Sequence, residues 1–373
     1  MPWTPPLSEG MRILFFGTYD AHRHPRVRVL QEGFRDLGDE VIERNAPLGL
    51  DTAARVRMLR RPWLVVLLGS RLATAWWTLR RMGRHLPKVD ATIVGYMGHW
   101  DVRLARRLRT PGLLVLDHLA PAAETGVDRG VGSKVILRSL RRIDERAVRA
   151  ADIVVVDTEE HLMTLPADVR SLGVVVPVGA PKAWFQEPPR SWTPPLKVVF
   201  FGLYTPLQGA PVIGRAIGSL SAAPIRFTMV GHGQDLAETR KAAASNPNVD
   251  WIRWVDAERL PELVSAHDVC LGIFGTGGKA MRVVPNKVFQ GAAAGCALVT
   301  SDTGPQRRTL GVAATYVPPN DSTALAATLS DMASDPERVR LLRIAAYEHA
   351  RLTFRPSVVV EGLRRHLITE RRP

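Results

Sequence analysis

Short apolar runs recur along the chain and alternate with segments whose apolar residues are spaced as on one face of a helix. The runs ILFF at 13–16 and VVFF at 198–201 carry no polar side chains on either face, which is typical of strands buried inside a parallel sheet. In the first half, the pattern predicts strands at 12–17, 90–95, 112–117, 152–157 and 173–178, and helices at 25–37, 56–85, 99–109, 133–149 and 158–164.

The second half repeats this alternation. It predicts strands at 197–202, 225–230, 250–253, 268–273, 297–301 and 313–317, with closing helices near 321–334 and 336–368. Alternating strands and helices favour an α/β fold made of doubly wound parallel sheets. Ligands of such sheets bind at the carboxyl ends of the strands, so we expect the site in a cleft between two domains.

An internal similarity supports two domains of the same kind. The segment RILFFGTY at residues 12–19 resembles KVVFFGLY at residues 197–204, and a proline-rich stretch lies between them. Proline cannot continue a helix or a central strand, so that stretch is predicted to be a linker. The expected division is a first Rossmann-like domain at 1–180, a linker at 181–196, a second Rossmann-like domain at 197–350, and a C-terminal helix at 351–373 that packs back towards the first domain.

Composition narrows the class of protein. The 373 residues are 46% hydrophobic, which is enough to bury a core, and the two cysteines give no disulfide framework. With no signal peptide evident at the N-terminus, a cytoplasmic location is expected. The net charge is +14, and residues 51–150 hold 18 Arg and 2 Lys against 8 acidic residues. Such a basic region indicates an anionic partner: membrane lipid, nucleic acid or a phosphorylated substrate.

The most informative motif is a glycine-rich loop followed by a helix, at residues 275–295. Pro285 stands where a helix begins and Gly295 where it ends, as these residue types prefer. The free amides of a helix start attract anions, and Lys279, Arg282 and Lys287 add positive charge beside them. The motif predicts a cradle for a phosphate or diphosphate; a solvated basic loop next to a capped helix is the alternative.

The run PNKVFQGAAAGCALVT at residues 285–300 resembles the donor-binding signature of glycosyltransferase family 4, whose members have the GT-B fold. The segments at 227–233, 254–268 and 318–325 resemble further parts of that family's donor domain, and those at 94–101 and 114–118 resemble its strand ends facing the cleft. The resemblance implies transfer of a sugar from a nucleoside diphosphate donor, with retention of configuration.

Some positions depart from the family pattern. Gln290 stands where a glutamate binds the donor ribose, and Arg282 where another glutamate contacts the donor sugar. The loop after the second domain's first strand lacks the family's Arg and Lys, so we expect Lys279, Arg282 and Lys287 to hold the diphosphate. The predicted donor site consists of Gly17, Gly202, Tyr204, His232, Lys279, Arg282, Asn286, Lys287 and Gln290.

Candidate catalytic residues follow a strand of the first half. Asp117 and His118 end the strand at 112–117, and Glu124 and Asp128 lie in the next loop as weaker base candidates. An imidazole at such a position can orient a hydroxyl or accept its proton, although a structural histidine bonded to backbone is an equal alternative. The segment HRHPR at residues 22–26 could meet an anionic acceptor or cap the first helix.

The apolar run at 62–79 is bordered by arginines and contains three tryptophans. It is too short and too interrupted for a transmembrane helix, and it fits either an interfacial helix on anionic lipid or a helix packed on the first domain.

The resemblance therefore implies a GT-B glycosyltransferase that retains configuration. The sequence has no D-x-D motif and no other metal-binding motif, so we expect the reaction to be metal-independent. No cofactor is expected; the co-substrate is a nucleoside diphosphate sugar, with UDP or GDP as the nucleotide. The acceptor is a sugar, a lipid-linked saccharide or a natural product, and the enzyme is expected in the cytoplasm, with peripheral binding to the inner membrane face through residues 51–150. The alternative is a catalytically silent sugar-nucleotide-binding or membrane-scaffolding protein on the same fold; nucleic acid is not an expected partner.

Overall fold

The computed structural model of the chain describes residues 10–21, 24–49, 62–82, 86–188 and 194–370, and the side chains of residues 62–68 are not described. Some predicted features lie outside the described residues: His22 of the HRHPR segment, the arginines between 51 and 61, and part of the linker. The structure contains two six-stranded parallel sheets. The predicted α/β fold with two doubly wound sheets is thereby confirmed.

The first sheet has the strand order β2-β1-β3-β4-β5-β6. Its strands are β1 (Arg12–Gly17), β2 (Glu40–Asn45), β3 (Ala91–Val94), β4 (Leu113–Asp117), β5 (Ile153–Val156) and β6 (Gly173–Val175). Its helices are α1 (Pro25–Asp36), α2 (Pro62–Met82), α3 (Asp101–Leu108), α4 (Ala122–Asp128), α5 (Lys134–Val148) and α6 (Glu159–Thr164). The direction of strand succession reverses between β1 and β3, and ligands of such sheets bind where this reversal opens a crevice.

The second sheet has the order β12-β11-β10-β7-β8-β9. Its strands are β7 (Leu196–Tyr204), β8 (Ile225–Gly233), β9 (Val249–Ile252), β10 (Val269–Leu271), β11 (Ala297–Ser301) and β12 (Thr315–Val317). The helices of this half are α7 (Ala210–Ser219), α8 (Leu236–Ala242), α9 (Leu260–Ser265), α10 (Asn286–Ala293), α11 (Gly304–Leu310), α12 (Ser322–Ser334), α13 (Pro336–Thr353) and α14 (Pro356–Glu370). Here the reversal lies between β7 and β10.

Three elements differ from the sequence prediction. Helix α4 carries Glu124 and Asp128, which were predicted to lie in a loop. Strand β2 was not predicted: it pairs only with β1 at the sheet edge, and its charged residues obscure the apolar signal. The closing helix predicted at 336–368 is two helices, because Pro356 cannot continue a helix but readily begins one.

The last helix, α14, packs on α1 of the first half and buries Val360, Leu363 and Leu367 in the core of the first sheet. Gly33 of α1 permits this close approach, because a Cβ atom there would overlap the carbonyl oxygen of Pro356. The C-terminal segment therefore ties the chain's end to its beginning.

Helix α2 lies on the first sheet. Ala75 and Leu79 are buried, and the indole Nε1 of Trp76 donates to Asp101 at 3.0 Å. The other face exposes 59% of Trp77, with Arg81 stacked on its ring. A search of the described residues for a helix long and apolar enough to cross a bilayer finds none.

Candidate functional site

Loops at the carboxyl ends of the two sheets contact each other directly. Asp128, at the end of α4, accepts a hydrogen bond from the amide of Leu207 at 2.9 Å, in the loop after β7. Thr158, just after β5, donates to the carbonyl oxygen of Arg282 at 2.7 Å. Two ion pairs, Glu124–Arg282 and Glu160–Arg308, join the same edges. The strand ends of both halves therefore border one interdomain gap, as the sequence predicts for a ligand site.

Lys287 is a buried lysine at this gap. Its residue is 4% exposed, its Nζ lies 3.6 Å from the centre of the Phe200 ring, and Nζ has no hydrogen-bond partner among the described residues. A Cβ atom added to Gly202 would lie only 3.3 Å from Nζ, so glycine leaves open the space beside the ammonium group. Burial lowers the pKa of Lys287 to about 7. An ammonium group in this state favours an anion as its partner.

Two elements bring Lys287 to this position. Strand β7 carries Phe200 and Gly202 and ends at the reversal point of the second sheet. Helix α10 begins with Asn286 immediately after Pro285, so Lys287 occupies its first turn. Amides in the first turn of a helix lack intrahelical acceptors and carry the positive end of the helix dipole. The lysine and the helix start thus offer positive charge to the same place.

The structure separates the three cations that the sequence groups together. Lys287 lies at the end of β7, whereas Arg282 pairs with Glu124 of the first half and Lys279 Nζ donates to Thr125 Oγ1 at 3.4 Å. Arg282 and Lys279 therefore hold the two halves together in this structure. Their predicted contact with a diphosphate would require them to leave these partners, and it stays a prediction.

The other predicted donor residues differ in how they are placed. Gly202 and His232 lie at or near the ends of β7 and β8, and Gln290 is buried on α10. The ring of His232 lies 6.3 Å from that of Trp254, which is 65% exposed. Tyr204, in contrast, is 0% exposed and packs edge-on against Phe200 in the core. Because its side chain is a core residue, the geometry does not support its predicted contact with a donor.

In the first half, Gly17 ends β1 beside Asp101. Asp101 Oδ2 accepts hydrogen bonds from the amide and the hydroxyl of Thr18, at 2.8 and 2.7 Å. Gly17 has a φ of 149°, and a Cβ atom there would lie 3.1 Å from the same carboxylate oxygen. Glycine at this position therefore keeps the loop after β1 close to Asp101.

Asp117 is committed to an ion pair. Arg26 of α1 approaches its carboxylate at 3.3 Å, both side chains are 1% exposed, and Arg26 also donates to the carbonyl oxygen of Pro177. Burial raises the pKa of Asp117, and the charge of Arg26 opposes this effect. The arginine occupies this carboxylate in the core, and a catalytic role for Asp117 stays a prediction.

His118 follows β4 and lies in a buried polar cluster. Its residue is 5% exposed, and neither ring nitrogen has a hydrogen-bond partner among the described residues. Its Nε2 lies 3.9 Å from Asp144 Oδ1, and His99 Nε2 lies 3.0 Å from the same oxygen. Burial lowers the pKa of His118 to about 4, so the ring is neutral and weakly basic at neutral pH. This environment weakens its predicted role as a general base.

Sequence reasoning did not single out Asp101, Asp144 and His99. His99 and Asp101 lie in the segment GYMGHWD at residues 95–101, whose position after a strand was a usable signal. Asp144 gives no such signal, because it is one acidic residue on an arginine-rich helix, and only the packing of α5 brings it to His118.

Comparison with known proteins gives a family match over part of the chain and a fold for nearly all of it. Residues 195–335 match the sequence model of the family described as glycosyl transferases group 1. A search of curated proteins finds no match. The family match confirms the prediction of a glycosyltransferase, while membership of family 4 in particular stays a prediction.

Solved structures resemble the chain over nearly its whole length. Sucrose-phosphate synthase from Thermosynechococcus elongatus has a TM-score of 0.67 at 15% identity, covering 96% of this chain and 99% of that chain. Anabaena HepE in complex with UDP-glucose has a TM-score of 0.66 at 14% identity, covering 96% of this chain and 100% of that chain. A glycosyltransferase from Rickettsia africae has a TM-score of 0.59 at 13% identity, with 97% and 98% covered. These similarities confirm the GT-B fold.

Proposed function

We propose that this chain, a GT-B protein whose residues 195–335 match the glycosyl transferases group 1 family, transfers a sugar from a nucleoside diphosphate donor to an acceptor hydroxyl. The donor binds to the second half, with its diphosphate at the end of β7 and the start of α10. The acceptor enters from the first half. Closure of the two halves over both substrates excludes water and so limits hydrolysis of the donor.

One observation carries this proposal: the buried ammonium of Lys287 has no hydrogen-bond partner among the described residues. Burying such a charge is costly, and groups with strongly shifted pKa values cluster at functional sites. The space beside it, left open by Gly202, and the amides of the α10 start suit a diphosphate. The burial of Lys287 would thus be explained by the ligand it binds.

The chemistry follows from where charge develops. As the bond between the sugar and the diphosphate breaks, negative charge accumulates on the leaving diphosphate. A fixed cation and helix amides at that place stabilise the transition state more than the ground state. In this proposal Lys287 and the start of α10 neutralise the leaving diphosphate, a role that a metal ion has in other enzymes. The reaction retains configuration, as the resemblance to family 4 implies.

For the donor we propose a UDP-sugar. Anabaena HepE, which shares the fold over most of the chain, is described in complex with UDP-glucose, and the pneumococcal O-GlcNAc transferase GtfA in complex with UDP and GlcNAc. On this chain the base would lie near His232, in the last residues of β8, and Trp254, just after β9, whose ring centres are 6.3 Å apart. Gln290 would face the ribose through an amide, which can bond two hydroxyls without charge.

Turnover of a donor panel tests the proposal. The chain is incubated with UDP-, GDP- and dTDP-sugars and a range of acceptors, and released nucleoside diphosphate is measured. We expect release from a UDP-sugar, and a loss of kcat/KM of at least about 100-fold in Lys287→Met, the size seen when one transition-state donor is removed. Lys241→Met, at an exposed site on α8, is the matched control and should keep full activity.

Binding of nucleotide sugars without release or transfer, across the whole panel, would contradict the enzymatic proposal. That result would instead favour the catalytically silent protein. Two observations favour this alternative. Arg282 and Gln290 replace the two glutamates of the family 4 donor-binding motif, and Arg282 pairs with Glu124.

We also propose that the enzyme works at the inner face of the membrane, on a lipid-linked acceptor. Helix α2 exposes Trp77, Arg80 and Arg81 on one face, and residues 51–150 hold most of the excess positive charge. Tryptophan and arginine together suit an anionic bilayer surface. Cosedimentation with phosphatidylglycerol vesicles should fall in Trp77→Ala and be absent with phosphatidylcholine vesicles; equal binding to both would contradict the idea.

A further inference from the structure

A loop, a strand end and a helix of the first half bring the side chains of two histidines and one aspartate together in a buried cluster. His99 comes from the loop after β3, His118 from the end of β4, and Asp144 from α5. Both histidines are buried, and Asp144 is nearly so. One side-chain atom from each residue lies within 4.8 Å of the other two.

Hydrogen bonds account for Asp144, whose two carboxylate oxygens accept the amides of Ala122 and Ala123, but not for the two histidines. Neither ring nitrogen of His118 has a partner among the described residues, and His99 Nε2 lies 3.0 Å from Asp144 Oδ1 without hydrogen-bond geometry. Buried polar atoms are nearly always satisfied, so an imidazole left this way requires an explanation. A cation shared by the three groups would give a partner to His99 Nε2 and to one ring nitrogen of His118.

The spacing suits a small cation. Ligand atoms bound to a four-coordinate zinc ion at about 2.0–2.1 Å lie about 3.3 Å from one another. The two measured separations from Asp144 Oδ1, 3.0 Å to His99 and 3.9 Å to His118, lie on either side of this value. Small side-chain rotations would therefore complete the geometry.

The groups around the cluster also fit metal binding. Amides of Ala122 and Ala123 donate to Asp144 at 2.7 and 3.0 Å, which fixes the carboxylate. His161 packs beside His118 with ring centres 5.6 Å apart, and its own Nδ1 lies 2.8 Å from Asp157. Hydrogen-bonded groups behind the ligands orient them in metal sites. Burial keeps the pKa of His118 low, so its ring is in the neutral form that ligates metals.

We propose that His99, His118 and Asp144 bind one divalent transition-metal cation, with zinc as the preferred ion. Two imidazoles and a carboxylate form a ligand set that zinc commonly takes, and three protein ligands leave a fourth position for water. The three ligands belong to the first half, whereas Lys287 belongs to the second. The inference does not rest on the proposed sugar transfer.

Such an ion would be a positioning element. It links the loop after β3, the end of β4 and α5, and through the amides bonded to Asp144 it holds the start of α4. Helix α4 carries Glu124, Thr125 and Asp128, which contact the second half across the gap. The ion would thereby fix the part of the first half that touches the donor domain.

Metal titration of the tag-free chain tests the proposal without any donor or acceptor. The chain is freed of metal with EDTA, exchanged into chelator-free buffer and titrated with ZnCl2 in competition with a chromophoric chelator. We expect one equivalent bound, a rise in melting temperature with Zn²⁺, and visible d–d bands of a low-coordinate site when Co²⁺ replaces Zn²⁺.

Variants assign the ion to this cluster. His99→Ala and Asp144→Asn should each weaken zinc binding at least about 10-fold, since changing even groups behind the ligands costs that much. The matched control is His349→Gln, because His349 lies on α13 and bonds to the carbonyl oxygen of Thr309 at 2.7 Å. Far-ultraviolet circular dichroism of each metal-free variant shows whether it is folded, and affinities are compared only between folded variants.

Two outcomes overturn the proposal. One is the absence of stoichiometric zinc binding to the folded wild-type chain. The other is equal zinc affinity in wild type, Asp144→Asn and His99→Ala, which would place the ion elsewhere. Loss of binding in the two cluster variants with retention in His349→Gln supports it, whatever the result of the transfer assays.

Discussion

A lysine ammonium that is buried without a partner destabilises a folded chain, and Lys287 is such a group. Its pKa of about 7 lies well below the ordinary value of 10.5, and the neighbouring Cys270 has a pKa raised by burial to about 12. Below about pH 7 the lysine is charged in both the folded and the unfolded chain. Between the two lysine pKa values the unfolded chain binds more protons, so stability rises with pH there.

This rise of stability with pH leads to a prediction for the ligand-free chain. Relative to Lys287→Met, the free energy of unfolding of wild type should rise as pH increases from about 7 towards 10, and Cys270 stays protonated through that range. Urea denaturation of both chains at several pH values measures the difference. If the difference in the free energy of unfolding between the two chains did not change with pH, or fell, the pKa of Lys287 would not be lowered by burial.

At the scale of single elements, strand β7 depends on glycine at its end. Gly202 has a φ of 139°, and a Cβ atom there would approach Lys287 Nζ at 3.3 Å. Gly202→Ala should therefore cost about 1–3 kcal/mol of stability through backbone strain and also displace the ammonium group. We expect at least about a 10-fold weaker affinity for UDP, measured by calorimetry.

A glycine in the last helix provides the control for that substitution. Gly362 lies on α14, and a Cβ atom there would meet nothing within 4 Å. Gly362→Ala should stabilise the chain by about 0.5–1 kcal/mol, because glycine is unfavourable inside a helix, and leave UDP affinity unchanged. Equal effects of both substitutions on UDP binding would contradict the assigned role of Gly202.

The elements also show what the sequence could and could not predict. Apolar periodicity located most strands, because parallel strands buried on both faces leave an unambiguous run of apolar residues. Strand β2 was not predicted, because it lies at an edge of the sheet and carries the charged residues Glu40, Glu43 and Arg44. Local patterns likewise located the loop and helix that bear Lys287. They could not show that Arg282 would pair with Glu124 or that Asp117 would pair with Arg26, because these partners are 158 and 91 residues apart in the chain.

For the whole molecule, the interdomain gap is held by contacts that are individually weak. The ion pairs Glu124–Arg282 and Glu160–Arg308 are partly exposed, and each is worth about 0–1 kcal/mol. Such contacts favour the arrangement in which the two halves are closed over the gap, but they are too weak to prevent opening. In contrast, α14 joins the end of the chain to α1 through a buried apolar face and so forms a fixed connection.

Neutralising both acids should shift the balance towards an open arrangement. We expect the double variant Glu124→Gln/Glu160→Gln to have a larger radius of gyration than wild type in small-angle scattering without ligand, and to contract when UDP is added. Glu337→Gln is the control, because its partner Arg340 lies on the same helix. A radius identical to that of wild type would show that these ion pairs do not influence closure.

The central claim is that the ammonium of Lys287 is the partner of a nucleoside diphosphate. Isothermal titration of UDP into wild type, Lys287→Met and Lys241→Met tests it most directly. The account predicts binding to wild type and to Lys241→Met, and a loss of affinity of at least about 10-fold, or about 1.4 kcal/mol, in Lys287→Met. Equal affinity for UDP in all three chains would contradict the account.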